Sequence, residues 1–574
     1  MNLLSLDPAN RERIQARISS LDEQGFMQRL WGRDPGLWSD DAAHQAVAGN
    51  RLGWLEVAGR MTAEAGALGA FAAEVAQDGF THAVLLGMGG SSLAPEVLRL
   101  TFGVKPHGLD LTVLDSTSPA AVRHIMESHD PAKTLFIVSS KSGGTLEVVS
   151  FEACAWEWVS AAKGAQAGRS FVAITDPGTS LGALAAKRGY RRVFENPADI
   201  GGRYSALSYF GLVPAALMGI DLVPLLAHTE AEQRRNQPGV APMEQPGLVL
   251  GAALGELALR SRDKLTLVLG KEIAAFGSWI EQLVAESTGK DGRGIVPVVG
   301  EPLATPEHYG EDRVFVALSV APLPSHTHRA LEMLRQAGHP VIEWRAPSLA
   351  GLGEEFLRWE IATAVASSVL GVDPFDEPNV TEAKIASQVA LDQAVAEGRF
   401  PTREVVATRE DTRAEAPRGV IEVLRRRLAA DADPAAWATA LVSLVTPGDY
   451  FAILAYFHAT PERDKRLDRL RIAVRTTAGV ATTVGHGPRF LHSTGQLHKG
   501  GPATGVFLQL TADEGADVAI PGKPFGFATL IAAQAWGDFE VLERRGRRVL
   551  RVHLGAHPER ALDTLIEALQ TARV

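Results

Sequence analysis

One cysteine, Cys154, stands in 574 residues, which leaves nothing from which to build an internal disulfide framework or a cysteine-rich zinc site. Positive charge is not in excess either. The 57 lysines and arginines face 67 aspartates and glutamates, a formal net charge of −10, so no basic field exists to hold a phosphate polymer and nucleic acid is not an expected partner. Long apolar runs are missing as well: no stretch approaches the roughly eighteen residues of a membrane span. The opening MNLLSLDPANRERIQ has only a short apolar patch before its charges begin. Neither a membrane span nor a signal peptide is expected, and the composition fits a cytoplasmic protein.

What is present is a change of rhythm along the chain. Residues 1–60 mix charged and apolar residues at helical spacing and read as a helical N-terminal segment. From His82 the pattern becomes short apolar runs (AVLLG, LTVLD, LFIVSS, FVAIT, RRVF) separated by amphipathic stretches of helical length. That alternation predicts a parallel sheet flanked by helices. A helical stretch from Ala206 to about Asn236 closes this unit, and KLTLVLG, VFVALSV and PVIEW open and continue a second one. Both units begin with a strand, a glycine turn and a helix. The expected fold class is therefore α/β, with one unit over 61–235, a second over 236–398 and a smaller C-terminal α/β unit over 419–574. The polar, proline-bearing stretch 399–418 is the candidate linker.

Two loops after predicted strands in the first unit are dense in glycine and hydroxyl groups: GMGGSSLAPEV, from Gly87, and SSKSGGTLE, from Ser139. A helix starting at a strand's carboxyl end offers free N–H groups and its positive dipole end, glycine lets an anion approach the backbone, and serine and threonine add hydrogen bonds. Two such loops on neighbouring strands can surround one phosphate. The alternatives are ordinary helix caps and turns, or a dinucleotide fold. Gly87, Gly89 and Asp115 loosely imitate the dinucleotide fingerprint, but serine stands at position 92 where its third glycine belongs.

Joined to GGRYS at 201–205, AESTGK at 285–290, VGEP at 299–302 and DEPNVTEAK at 376–384, the two loops make six ordered motifs over roughly residues 80–390. In these the sequence resembles the phosphoglucose isomerase family of the sugar-isomerase-domain superfamily. HSTGQLHKGGP at 492–502 further resembles the branch often fused to a transaldolase, for which the chain has no room. The resemblance implies two sugar-isomerase domains and interconversion of glucose 6-phosphate and fructose 6-phosphate through a cis-enediol. It implies no cofactor and no metal, and a homodimer whose sites are shared between subunits.

It also implies roles for particular residues. Glu286, near the C-terminus of a predicted helix, matches the base, and Gln282 lies one turn earlier on the same face. Arg203 matches the arginine that holds the charged intermediate, and Lys384 the lysine that assists ring opening. His308 matches, by length from Gly300, the ring-opening histidine that comes from the partner subunit in the family. Gly90, Ser91, Ser140, Lys141, Ser142, Thr145 and Glu147 are expected around the substrate, the hydroxyl-bearing ones on its phosphate. Glu377 stands where the family usually has glutamine. A different reading is a phosphosugar-sensing protein that binds without turnover, which leaves Glu286, Arg203 and Lys384 without a task. The polar segment 492–499 is either a solvated loop or a piece that folds back on the isomerase domains.

Overall fold

A computed structural model describes residues 6–571. Five short runs of aliphatic residues pair in parallel because helices cover both faces of the sheet they form. They are β1 (His82–Leu86), β2 (Asp110–Leu114), β3 (Thr134–Ser139), β4 (Phe171–Thr175) and β5 (Arg192–Glu195), in the order β2-β1-β3-β4-β5. The order reverses between β1 and β3, and a crevice opens at the carboxyl ends of strands at such a switch point. The two glycine- and hydroxyl-rich loops leave the sheet there, one from β1 and one from β3.

The second sheet contains β6 (Lys264–Leu269), β7 (Val296–Val298), β8 (Arg313–Ser319) and β9 (Val341–Arg345), in the order β7-β6-β8-β9. The third contains β10 (Val405–Arg409), β11 (Thr412–Glu415), β12 (Tyr450–Tyr456), β13 (Ala481–His486), β14 (Gly505–Thr511) and β15 (Arg548–His553), in the order β10-β11-β15-β14-β12-β13. The parallel strands of all three sheets thus start second, first, third, fourth. The α/β class, with parallel sheets flanked by helices and a further α/β unit at the C-terminus, is as expected.

Two details differ from the sequence reading. The stretch 399–418 is no linker: β10 and β11 form an antiparallel hairpin, and β11 pairs with β15 at the edge of the third sheet. An edge hairpin exposes most of its side chains, so it carries the polar composition of a loop. Its turn, Glu410-Asp411, puts a glutamate in the left-handed region, φ 54°, where the usual hairpin signal is Asn-Gly. The expected helix from Ala206 to Asn236 is broken into Tyr209–Leu217 and Leu222–Arg235. Gly219, at φ 76°, turns the chain, and the Asp221 side chain caps the second helix by accepting from Val223 N.

The N-terminal helices Pro8–Glu23, Phe26–Trp31 and Ala42–Gly49 pack on the first two α/β units. Trp31 Nε1 donates to Asn236 O at 2.6 Å and Trp38 Nε1 to Ala364 O at 2.8 Å. The C-terminal unit shares cores with both preceding units. Ala285, Val296 and Val298 of the second bury with Leu454, Phe507 and Leu542 of the third. Phe527 and Leu530, on helix Phe527–Arg544, bury with Phe136 and Phe151 of the first.

Candidate active site

A cleft of about 470 Å³ lies at the switch point of the first sheet. Its floor is backbone. Gly89 adopts φ 55°, and a side chain there would strike Gln282 and His492; one at Gly90 would lie 2.0 Å from the carbonyl oxygen of Gly202. Only glycine allows the β1 loop to pack this closely on the loop carrying Arg203. Gly90 and Ser91 face the cleft from one side, and Ser142 and Thr145 from the other, with Thr145 immediately before helix Leu146–Lys163. The geometry suits an anion at a helix N-terminus.

Two other predicted residues of this loop turn elsewhere. Ser140 is buried behind the lining, its hydroxyl 3.2 Å from that of Thr145. Lys141 is on the cleft wall, but its ammonium pairs with Asp176 and donates to Ala198 O at 3.1 Å. Asp115, the residue that imitates a dinucleotide fingerprint, is spent on a bidentate pair with Arg489, at 2.7 Å for each bond.

Arg203 is 5% exposed and fully engaged. Nε donates to Ser287 Oγ at 2.9 Å, Nη2 to the carbonyls of Pro374 (2.5 Å) and Asp376 (2.9 Å), and Nη1 faces Glu377 Oε2 at 3.2 Å and Glu286 Oε1 at 3.5 Å. The fork is held by backbone and aimed at the base, an arrangement lysine cannot reproduce. Glu286 lies in the last turn of helix Phe276–Thr288 and is 7% exposed. Burial pushes its carboxyl above the ordinary range, the Arg203 guanidinium pulls against that shift, and Glu377 adds to it. Gln282, one turn back, donates to Glu286 Oε2 at 3.1 Å and to the carbonyl of His492 at 2.7 Å. A carboxylate so held can take and return a proton beside a fixed cation.

The polar C-terminal segment does fold back. His492 lines the cleft, with Nε2 3.0 Å from Glu147 Oε1. Gln534 Nε2 donates to the same oxygen at 2.8 Å, and Thr117 Oγ1 donates to Gln534 at 2.6 Å. Glu147, expected at the substrate, is therefore buried behind His492. Burial alone would raise its carboxyl, but the imidazole beside it holds it below the usual range. Gln496 Oε1 accepts from Asn379 N at 2.9 Å and its amide donates to Gly289 O at 3.0 Å, which ties the segment to the chain near Glu286 and Glu377. Lys499 is buried in an ion pair with Asp538 at 2.6 Å.

Lys384 lies on helix Pro378–Glu397, exposed toward the cleft and an adjoining recess of about 230 Å³. His308 is not brought to the cleft of its own chain. It ends a single turn, Pro306–His308, in the connection between β7 and β8, where no α-helix forms to carry it across. Lining residues not singled out from sequence include Asn50, Arg51, Asp176, Tyr204 and Phe375. His492 was marked only as part of its segment, by the density of polar residues between glycines at 492–501.

A family model described as phosphoglucose isomerase matches residues 63–296. A glucose-6-phosphate isomerase of Rubrobacter xylanophilus is 30% identical over 366 residues, covering 54% of this chain and 83% of that protein. A glucose-6-phosphate isomerase of Thermus thermophilus is 35% identical over 211 residues, 37% of this chain; that match spans about half of the relative's length, 49%. Among solved structures, a glucose-6-phosphate isomerase from Chlamydia trachomatis superposes with a TM-score of 0.53 at 18% identity, covering 68% of this chain and 87% of that one, a likeness of fold.

Proposed function

The chain belongs to the phosphoglucose isomerase family, and from that premise we propose that it interconverts glucose 6-phosphate and fructose 6-phosphate through a cis-enediol. The observation that carries this reading is the buried Glu286, set 3.5 Å from Arg203 in the same cleft as two anion-binding loops. A protein that only sensed a phosphosugar would need the loops but not a carboxylate held at the cost of its own desolvation.

The phosphate sits against Gly90, Ser91, Ser142 and Thr145, and the sugar carbons extend toward Glu286. Its carboxylate removes the C2 proton and returns it to C1, while the Arg203 guanidinium holds the charge that gathers on the enediolate oxygens. Lys384 faces the end of the sugar where the ring must open. The Glu377 carboxylate, on Arg203, takes the place of a substrate-binding amide. The same reading makes the protein a cytoplasmic homodimer; no described helix is long and apolar enough to cross a membrane.

A coupled assay that oxidises glucose 6-phosphate as it forms from fructose 6-phosphate tests the proposal. Sustained turnover is expected, and none at high enzyme concentration would end it. Replacing Ser142 and Thr145 together by alanine is expected to weaken hexose phosphate binding by tenfold or more, since each hydrogen bond to a charged group is worth about 1.5–3 kcal/mol. Binding of unphosphorylated fructose should barely change. Equal losses for both ligands in calorimetry would remove these hydroxyls from the phosphate site.

A further inference from the structure

We infer that His492, supplied by the C-terminal unit of the same chain, is the acid that opens the hexose ring, so that each cleft is completed in cis. The inference rests on the isomerase reading above and adds a catalytic residue to it. Among the described residues lining the cleft His492 is the one histidine. Its ring has a defined orientation. Glu147 is an ionised acceptor, so Nε2 must carry the hydrogen of the 3.0 Å bond, and Nδ1 is left without a protein partner on a ring that faces the substrate space. Gln534 and Thr117 hold the carboxylate in turn, an order of support that fixes an imidazole for proton transfer.

Its backbone is tied to the base. One amide group, Gln282 Nε2, donates both to the His492 carbonyl at 2.7 Å and to Glu286 Oε2 at 3.1 Å. The bond to the carbonyl fixes the backbone that carries the imidazole, and the imidazole lines the same cleft as Glu286; the ring oxygen it must reach there is bonded to C1, one of the two carbons the base serves. In the step the imidazolium is the acid: with Nε2–H held on Glu147, the C1–O5 bond breaks and O5 takes the second ring proton from Nδ1, leaving the neutral ring. C1–O1 becomes a carbonyl, and the O1 proton passes to water, from which Nδ1 is recharged.

Other histidines do not fit. His498 is buried among Tyr450, Phe490 and Phe507, where burial drives its pKa far down and keeps it neutral. His308 lies on the β7 to β8 connection, outside the cleft.

Ring opening is read separately from isomerisation by the exchange of α and β anomers of glucose 6-phosphate, followed by NMR above the spontaneous rate. Glu286→Gln is expected to stop isomerisation but keep anomer exchange. His492→Gln, which fills the same space and can still donate to Glu147, is expected to lose about 100-fold in both, the low end of the range for a general acid, with unchanged melting temperature; His492→Ala should show the same rate losses with a lower melting temperature, because it strands the buried Glu147 carboxylate. Wild-type anomer exchange in His492→Gln, or its loss in His308→Ala instead, overturns the assignment. Co-expressing Glu286→Gln with His492→Ala distinguishes the source of the histidine. Sites completed in cis stay inactive in the mixed protein, whereas recovered turnover would show that the histidine crosses between subunits. Absence of isomerase turnover in the wild type would instead defeat the isomerase reading, whatever His492 does.

Discussion

Substituting Glu286 by glutamine is expected to lower turnover by about 100- to 10,000-fold, the contribution of a positioned general base, and to leave the protein as stable as before. Both halves follow from burial. The carboxyl is deprived of water and its pKa lies above the ordinary carboxylate value despite Arg203. Between the unfolded value and that raised one, the folded state binds more protons than the unfolded state. Stability is therefore full below the ordinary range and falls as pH rises through the raised value. A neutral amide escapes that loss, and Gln282 can still donate to its oxygen. Turnover of the wild type should run the opposite way, rising with pH through the same interval as the base ionises. The kcat profile and urea midpoints of both proteins at several pH values check the pair of statements. Wild-type turnover in Glu286→Gln, or a large drop in its stability at neutral pH, would contradict this account.

Arg203 should behave differently, because it holds structure as well as charge. Its guanidinium satisfies Ser287 and the carbonyls of Pro374 and Asp376 and neutralises a buried carboxylate. Arg203→Ala strands Glu286 without its cation, and removing one partner of a buried pair costs about 3–5 kcal/mol. Loss of the charge that meets the enediolate should lower kcat by about 100- to 1,000-fold, as for other preorganised donors. Arg203→Lys separates the two effects. It restores a positive charge and part of the stability, but its point charge cannot span Ser287, Pro374 and Glu286 together, so most of the rate loss should remain. Denaturation midpoints alongside kcat for the two variants read this directly. Recovery of full turnover in the lysine variant would make the guanidinium geometry irrelevant.

The contrast between these residues and His492 shows where local reading of the chain ends. Strands β1 to β5, the switch-point loops, Arg203, Gln282 and Glu286 are marked by signals within a few residues: apolar runs, glycines beside hydroxyls, one helical turn between two polar side chains. Such signals act at short range, so the sequence alone determined the α/β class and the place of the two glycine- and hydroxyl-rich loops, while Glu286 and Arg203 stood out through the motifs the chain shares with its family. It misread 399–418, because an exposed edge hairpin and a linker share one composition and only pairing with β15 tells them apart. It likewise left the orientation of Lys141 and the burial of Glu147 open, since both depend on partners from distant segments. The cleft's histidine was legible only as one of several polar residues in a segment that could fold back on the isomerase domains; which of them enters the cleft was not. His492 meets Glu147 across 345 positions and Gln282 across 210. No local periodicity encodes such contacts; they exist because the apolar faces of the third unit bury against the first two and carry a polar segment into the cleft between them.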